Sequence, residues 1–208
     1  MIWIRNFLLV GLITSLAACS IGASRHWSEQ TGTVLEEGNN KPIDGAIIVA
    51  RWEGWISALV DSQSVCYHVE EADSDSTGHY RIPEWTKLPG KVHHYEITYT
   101  VYKAGYRYVR SGDGVHYLEP DTGSVEERLE YLDSLVRSVG CFGAGKSERN
   151  SYVMLKAVFY EAKKLGAPHD LLQWMRKVAA STWLALDGST SQIEHDKKVS
   201  AFLKDHLL

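Results

Sequence analysis

The chain of 208 residues is 44% apolar, 23% charged and 11% aromatic, enough to bury a core and too hydrophobic for general disorder. Twenty-two Lys and Arg against 26 Asp and Glu give a net charge of −4, so no basic surplus exists to neutralise a phosphate backbone, and nucleic acid is not an expected partner. A mean hydropathy of −0.23, with one long apolar run near the N-terminus, excludes a multi-span membrane protein.

Arg5 precedes the apolar stretch from Phe7 to Ile13, which is shorter than the ~20 residues needed to cross a bilayer and reads as the core of a signal peptide. Leu16-Ala17-Ala18-Cys19 follows and resembles a bacterial lipobox. That resemblance implies removal of residues 1–18 and a mature chain that starts at a triacylated Cys19, an effectively permanent membrane anchor. Ser20, rather than Asp, follows the Cys, and this resembles the outer-membrane pattern of Gram-negative lipoproteins, facing the periplasm. Residues 19–30 read as a polar tether reaching at most ~40 Å. With Cys19 acylated, Cys66 and Cys141 remain; in an oxidising compartment they are expected to pair across roughly 75 residues, two unrelated buried thiols being the alternative.

From Thr31 to about residue 119 the pattern is β. Strands are predicted over Thr31 to Glu36 and Ala46 to Trp52, separated by a turn rich in Gly and Asn. Between Val92 and Lys103 the residues Tyr95, Ile97, Tyr99 and Val101 alternate with His94, Glu96, Thr98 and Thr100, as expected for a strand covering a core on one side. After Pro120 the period becomes helical. Ser124-Val125-Glu126-Glu127 spells a capping box ahead of Leu129, Leu132, Val136 and Val139. Gly140 to Gly145 breaks this helix, a second runs from about Tyr152 toward Gly166, Pro168 opens a third, and Ser191 with Glu194 caps a fourth.

Three motifs in order, Gly32-Thr33-Val34 with Pro42 to Val49, Ser74 to Pro83, and Lys103-Ala104-Gly105-Tyr106, resemble the carboxypeptidase regulatory-like domain. The resemblance implies a transthyretin-like antiparallel β-sandwich over residues 31–119; the segment of three to four helices over 120–208 lies outside it and is expected to pack on the sandwich, an α+β chain in all. It also implies a non-catalytic module that binds a protein or glycan or serves a structural role. No enzyme activity and no cofactor are expected on that basis.

Other patterns have competing explanations. His68-Val69-Glu70-Glu71 and His116-Tyr117-Leu118-Glu119 spell half of a zinc hydrolase site, with His169 and His195 as possible third ligands, but on a strand the two ends of such a motif fall on opposite faces. Asp73, Asp75, Thr77, Gly78 and Glu84 spell much of a calcium loop without flanking helices. Trp52, Trp55, Ile56 and Leu59 form a greasy stretch read as a loop. It is covered by the C-terminal helices or exposed as a partner site. An inhibitor or immunity role against a periplasmic toxin is a further alternative that no motif marks.

Overall fold

The computed structural model describes residues 24–57, 62–88, 92–141, 145–184 and 191–205. Its strands are β1 (Arg25–Trp27), β2 (Gln30–Glu36), β3 (Ile47–Ser57), β4 (Ser62–Asp73), β5 (His79–Ile82), β6 (Trp85–Lys87), β7 (Val92–Tyr102), β8 (Tyr106–Gly112) and β9 (Val115–Pro120). The helices are α1 (Val125–Val139), a 3-10 turn at Gly145–Ser151, α2 (Tyr152–Lys164), α3 (His169–Trp183) and α4 (Gln192–Asp205). The chain is α+β.

The sheets run β5-β2-β9-β8 and β4-β3-β7, with β1 and β6 forming a separate ribbon. They are not purely antiparallel as expected, because β2 and β9 pair in parallel from Thr33↔Val115 to Glu36↔Leu118. Alternation shows which face a strand buries; it does not name the neighbouring strand.

Two cores flank the three-stranded sheet. Ile48, Ala50 and Trp52 of β3 and Val101 of β7 meet Val34, Tyr80, Ile82 and Leu118 of the other sheet. The intervening Val49, with Val69 and Tyr102, packs instead against Leu132, Val136, Leu155, Phe159 and Met175 of the helices. The run Ile47-Ile48-Val49-Ala50 is apolar without interruption because both of its faces are covered. This corrects the one-sided reading of β7: Val101 and Tyr102 are 2% and 3% exposed, on opposite faces.

Ser74 to Gly78 turns the chain from one sheet into the other, from β4 into β5, rather than making a hairpin within one sheet. The Asp75 carboxylate accepts from the Thr77 N–H and hydroxyl and from the His79 N–H, and the Thr77 bonds hold its pKa below the usual carboxylate range. Gly78 takes φ +78°, where any Cβ would stand 2.5 Å from the Val34 carbonyl oxygen.

The helices begin as their caps dictate. Ser124 and Glu127 form the reciprocal capping box of α1. Ser151 makes no side-chain cap on α2; the Glu71 carboxylate of β4 accepts the Met154 N–H at 2.8 Å, capping that helix from the sheet. Burial pushes Glu71 up to about 8, against the lowering effect of the Met154 N–H.

Cys66 and Cys141 are joined by a disulfide with Cα atoms 5.3 Å apart. A bulge makes the bond possible. Trp52 pairs with His68 but Glu53 pairs with Cys66, so Tyr67 is an extra residue in β4. Tyr67 and His68 both meet Trp85, and Cys66 then turns to the opposite face, toward the helices.

Candidate functional site

Two places gather chemistry-bearing side chains. The first is an aromatic cluster where the β1–β6 ribbon lies on the three-stranded sheet. Trp27 stacks on Trp85 with centroids 5.2 Å apart, and both rings stand edge-on to Trp52, at 6.2 and 5.0 Å. Tyr95 closes on Trp27 at 4.9 Å, and His68 stacks on Trp85 at 3.7 Å. The Arg25 guanidinium lies 4.4 Å from the Trp27 ring and 4.5 Å from the Tyr95 ring, and the Lys87 ammonium lies 4.4 Å from the Tyr67 ring. The buried indole nitrogens of Trp27, Trp52 and Trp85 have no hydrogen-bond acceptor. Each omission costs on the order of 1–3 kcal/mol, which the burial of the large rings offsets.

This cluster corrects two expectations. Trp52 is 0% exposed and belongs to the core between the sheets, so it is no partner site. The greasy stretch is not a loop either: β3 continues through Ser57 and pairs with β4 and β7 as far as Ile56. Trp55 is 36% exposed and Ile56 is half-buried. Leu59 lies outside the described residues, as does Cys19. The tether expected over 19–30 is also shorter, because Arg25–Trp27 pairs with Trp85–Lys87 and Trp27 is packed among rings.

The second place is the junction of all three layers. Arg128 of α1 is 5% exposed. Its Nε and Nη2 grip Glu161 of α2 in a bidentate pair at 3.0 and 2.9 Å. Nη1 donates to Asp121 at 3.0 Å and to the Tyr106 carbonyl at 2.6 Å. Glu161 also accepts from the Tyr102 hydroxyl at 2.7 Å and the Gly105 N–H at 3.1 Å. Burial raises the Asp121 pKa, but the Gly123 N–H together with Arg128 and Arg107 outweighs it and holds the carboxyl below its usual range. Asp121 also lines a neighbouring polar cleft of about 570 Å³, together with Arg107, Glu127, Glu130, Tyr131 and Ser134 among others. Arg107 lies 4.9 Å from the Tyr131 ring at its wall.

Neither His-x-x-Glu pattern brings its ends together. His68 bonds Glu70 at 2.7 Å while Glu71 faces α2. His116 is 3% exposed between the sheets, bonded to the Tyr80 hydroxyl at 2.9 Å, and burial lowers its pKa; Glu119 is exposed. His169 contacts Gln173, and buried His195 meets the Ser181 hydroxyl at 3.0 Å. Glu84 of the calcium-like pattern pairs with His26. Among the described residues no group of three or more His, Cys, Asp or Glu could hold a metal ion.

The Arg128 junction was missed at the level of sequence, although a signal was present. Arg128 lies three residues after Val125 and four before Leu132, inside the apolar stripe of α1, where an unpaired cation would be costly. Trp27 and Trp85 carried no comparable signal, since three-residue strands show no periodicity.

No family model and no curated protein matches this chain. Among solved structures, a 9R-lipoxygenase from Cyanothece PCC8801 aligns over 85% of this chain and 29% of its own length, at 12% identity and a TM-score of 0.26. The chain therefore spans under a third of that protein, at a similarity that carries no argument about fold or function.

Proposed function

We propose that this protein is a lipid-anchored periplasmic module of the Gram-negative outer membrane, non-catalytic, with a transthyretin-like sandwich stiffened by its helices. The anchor rests on Leu16-Ala17-Ala18-Cys19. The observation that carries the non-catalytic part is the use made of the buried ionisable groups: Arg128, Asp121, Glu161 and Glu71 each tie one layer to another. The polar cleft beside Arg107 and Tyr131 is the place offered to a protein or glycan partner, since it presents donors, acceptors and an aromatic face around one opening.

Membrane fractionation with palmitate labelling tests the anchor. The parent chain is expected to take label and pellet with membranes, while Cys19→Ala takes none and is released. A processed Cys19→Ala protein that still pellets would overturn the anchor. For the partner, chemical crosslinking in intact cells is expected to give a defined adduct that Arg107→Glu loses; an adduct that survives the substitution removes the cleft from the proposal.

A further inference from the structure

We infer that the end of the fold bearing Trp55 and Ile56 of β3, together with Leu88 just past β6, rests on the phospholipid surface. The inference rests on the Cys19 anchor proposed above and states which face of the fold that anchor holds against the membrane. Arg25, the first residue of β1, pairs with Lys87, and Trp27 is fixed against Trp85, Trp52 and Tyr95. Tyr95 in turn pairs with Gly54, and Val92 with Ile56. The start of β1 is thereby held where β3 and β7 run out toward the tip of the β3–β4 hairpin.

Cys19 and Ser24 are separated by four residues, five Cα steps that reach at most ~18 Å. A folded body of this size has a radius of gyration of ~16 Å, so the anchor cannot pass to the far end of the molecule. The acyl chains and this end of the sheet must share one neighbourhood.

The surface found there suits a bilayer interface. Leu88 is 65% exposed and Trp55 36% exposed, and Trp is the side chain that settles at the headgroup level. Arg25 and Lys87, paired at the end of the ribbon beside Leu88, are cations able to meet lipid phosphates, their positions steadied by ring contacts and by the Lys87 ammonium donating to the Tyr67 carbonyl. Of the acids nearby, Glu53 is paired with Arg51 at 3.3 Å, and Glu96, opposite Glu53, lies farther from the hairpin tip than Trp55.

The test uses the full lipidated protein reconstituted into vesicles of phosphatidylethanolamine and phosphatidylglycerol with brominated acyl chains, which quench indoles that reach the bilayer. Flotation reports the anchor and quenching reports the docking, parent against Trp55→Phe. The expected result is that both float and that the parent loses the larger fraction of its emission. If both float and lose equal fractions, the docking is overturned and the anchor stands. If the parent chain does not float, the anchor and this inference fall together.

Discussion

Replacing Arg128 by Ala tests the idea that one guanidinium clamps the three layers. The substitution removes two hydrogen bonds to Glu161, one to Asp121 and one to the Tyr106 carbonyl. Hydrogen bonds to charged groups are worth about 1.5–3 kcal/mol each, but the arginine also carries a desolvation cost, so these values do not add. What decides the outcome is the pair of carboxylates left behind, with side chains 6% and 13% exposed for Asp121 and Glu161. Breaking a buried pair from one side costs about 3–5 kcal/mol, which is the expected loss in urea unfolding at pH 7. The pH dependence has a definite sign. In the parent, Asp121 is held below its unfolded pKa, so its contribution is present at neutral pH and disappears as acid protonates it. In the variant Asp121 loses the Arg128 counter-charge, its pKa rises, and protonation relieves the strain. The gap between the two proteins should therefore narrow from pH 7 toward pH 4. A loss under about 1 kcal/mol at pH 7, or a gap that stays constant with pH, would refute the clamp.

The disulfide encloses a sequence separation of 75, and loop entropy predicts that the Cys66→Ser, Cys141→Ser double variant loses about 4 kcal/mol; non-reducing peptide maps and urea melts check the bond and its effect. Gly78→Val should lower the melting temperature far more than His79→Ala, because the new Cβ meets the Val34 carbonyl while exposed His79 gives up only its 3.0 Å contact with Thr33; equal shifts would contradict the turn assignment. Glu71, pushed up to about 8, keeps its proton in the folded state between pH 4.5 and 8 while the unfolded chain has released it. Stability should then fall with rising pH across that window by on the order of a few kcal/mol. Glu71→Gln should flatten the slope; parallel profiles for the two proteins would show that Glu71 ionises freely.

The helical half is legible from the sequence because its signals are local. Ser124 and Glu127 sit at capping-box spacing, Pro168 stands at the third helix's N-cap, and the Ser191 hydroxyl accepts the Glu194 N–H at 3.3 Å. Strands are legible as to face and poorly as to partner and length. Nothing in Thr33 to Glu36 announces a parallel neighbour eighty residues away, and Gly54, a weak strand former, hides the continuation of β3 to Ser57. Trp52 misled for a related reason: an apolar residue at the edge of a greasy run looks the same in sequence whether it belongs to the run or to the core beneath it. Neither the cleft beside Arg107 and Tyr131 nor the cluster built on Trp27 and Trp85 was legible in the sequence. The place of Arg128 in the apolar stripe of α1 marks a buried cation, but its partners Glu161, Asp121 and Tyr106 come from other segments and no local pattern names them.

The extra residue at Tyr67 sets a rule for insertions and deletions in this hairpin. Side chains on a strand alternate with period two, and Cys66 and Val69, three residues apart, share the helical face only because Tyr67 is extra, so deleting Tyr67 would restore strict alternation and leave the thiol facing Cys141. Removing both residues between Cys66 and Val69 would swing the sulfur to the aromatic face and strand Cys141 in the helical core. Loss of the one extra residue is therefore compatible with the bond, whereas loss of two between Cys66 and Val69 must be matched by a further odd change in β4 or by loss of both cysteines together.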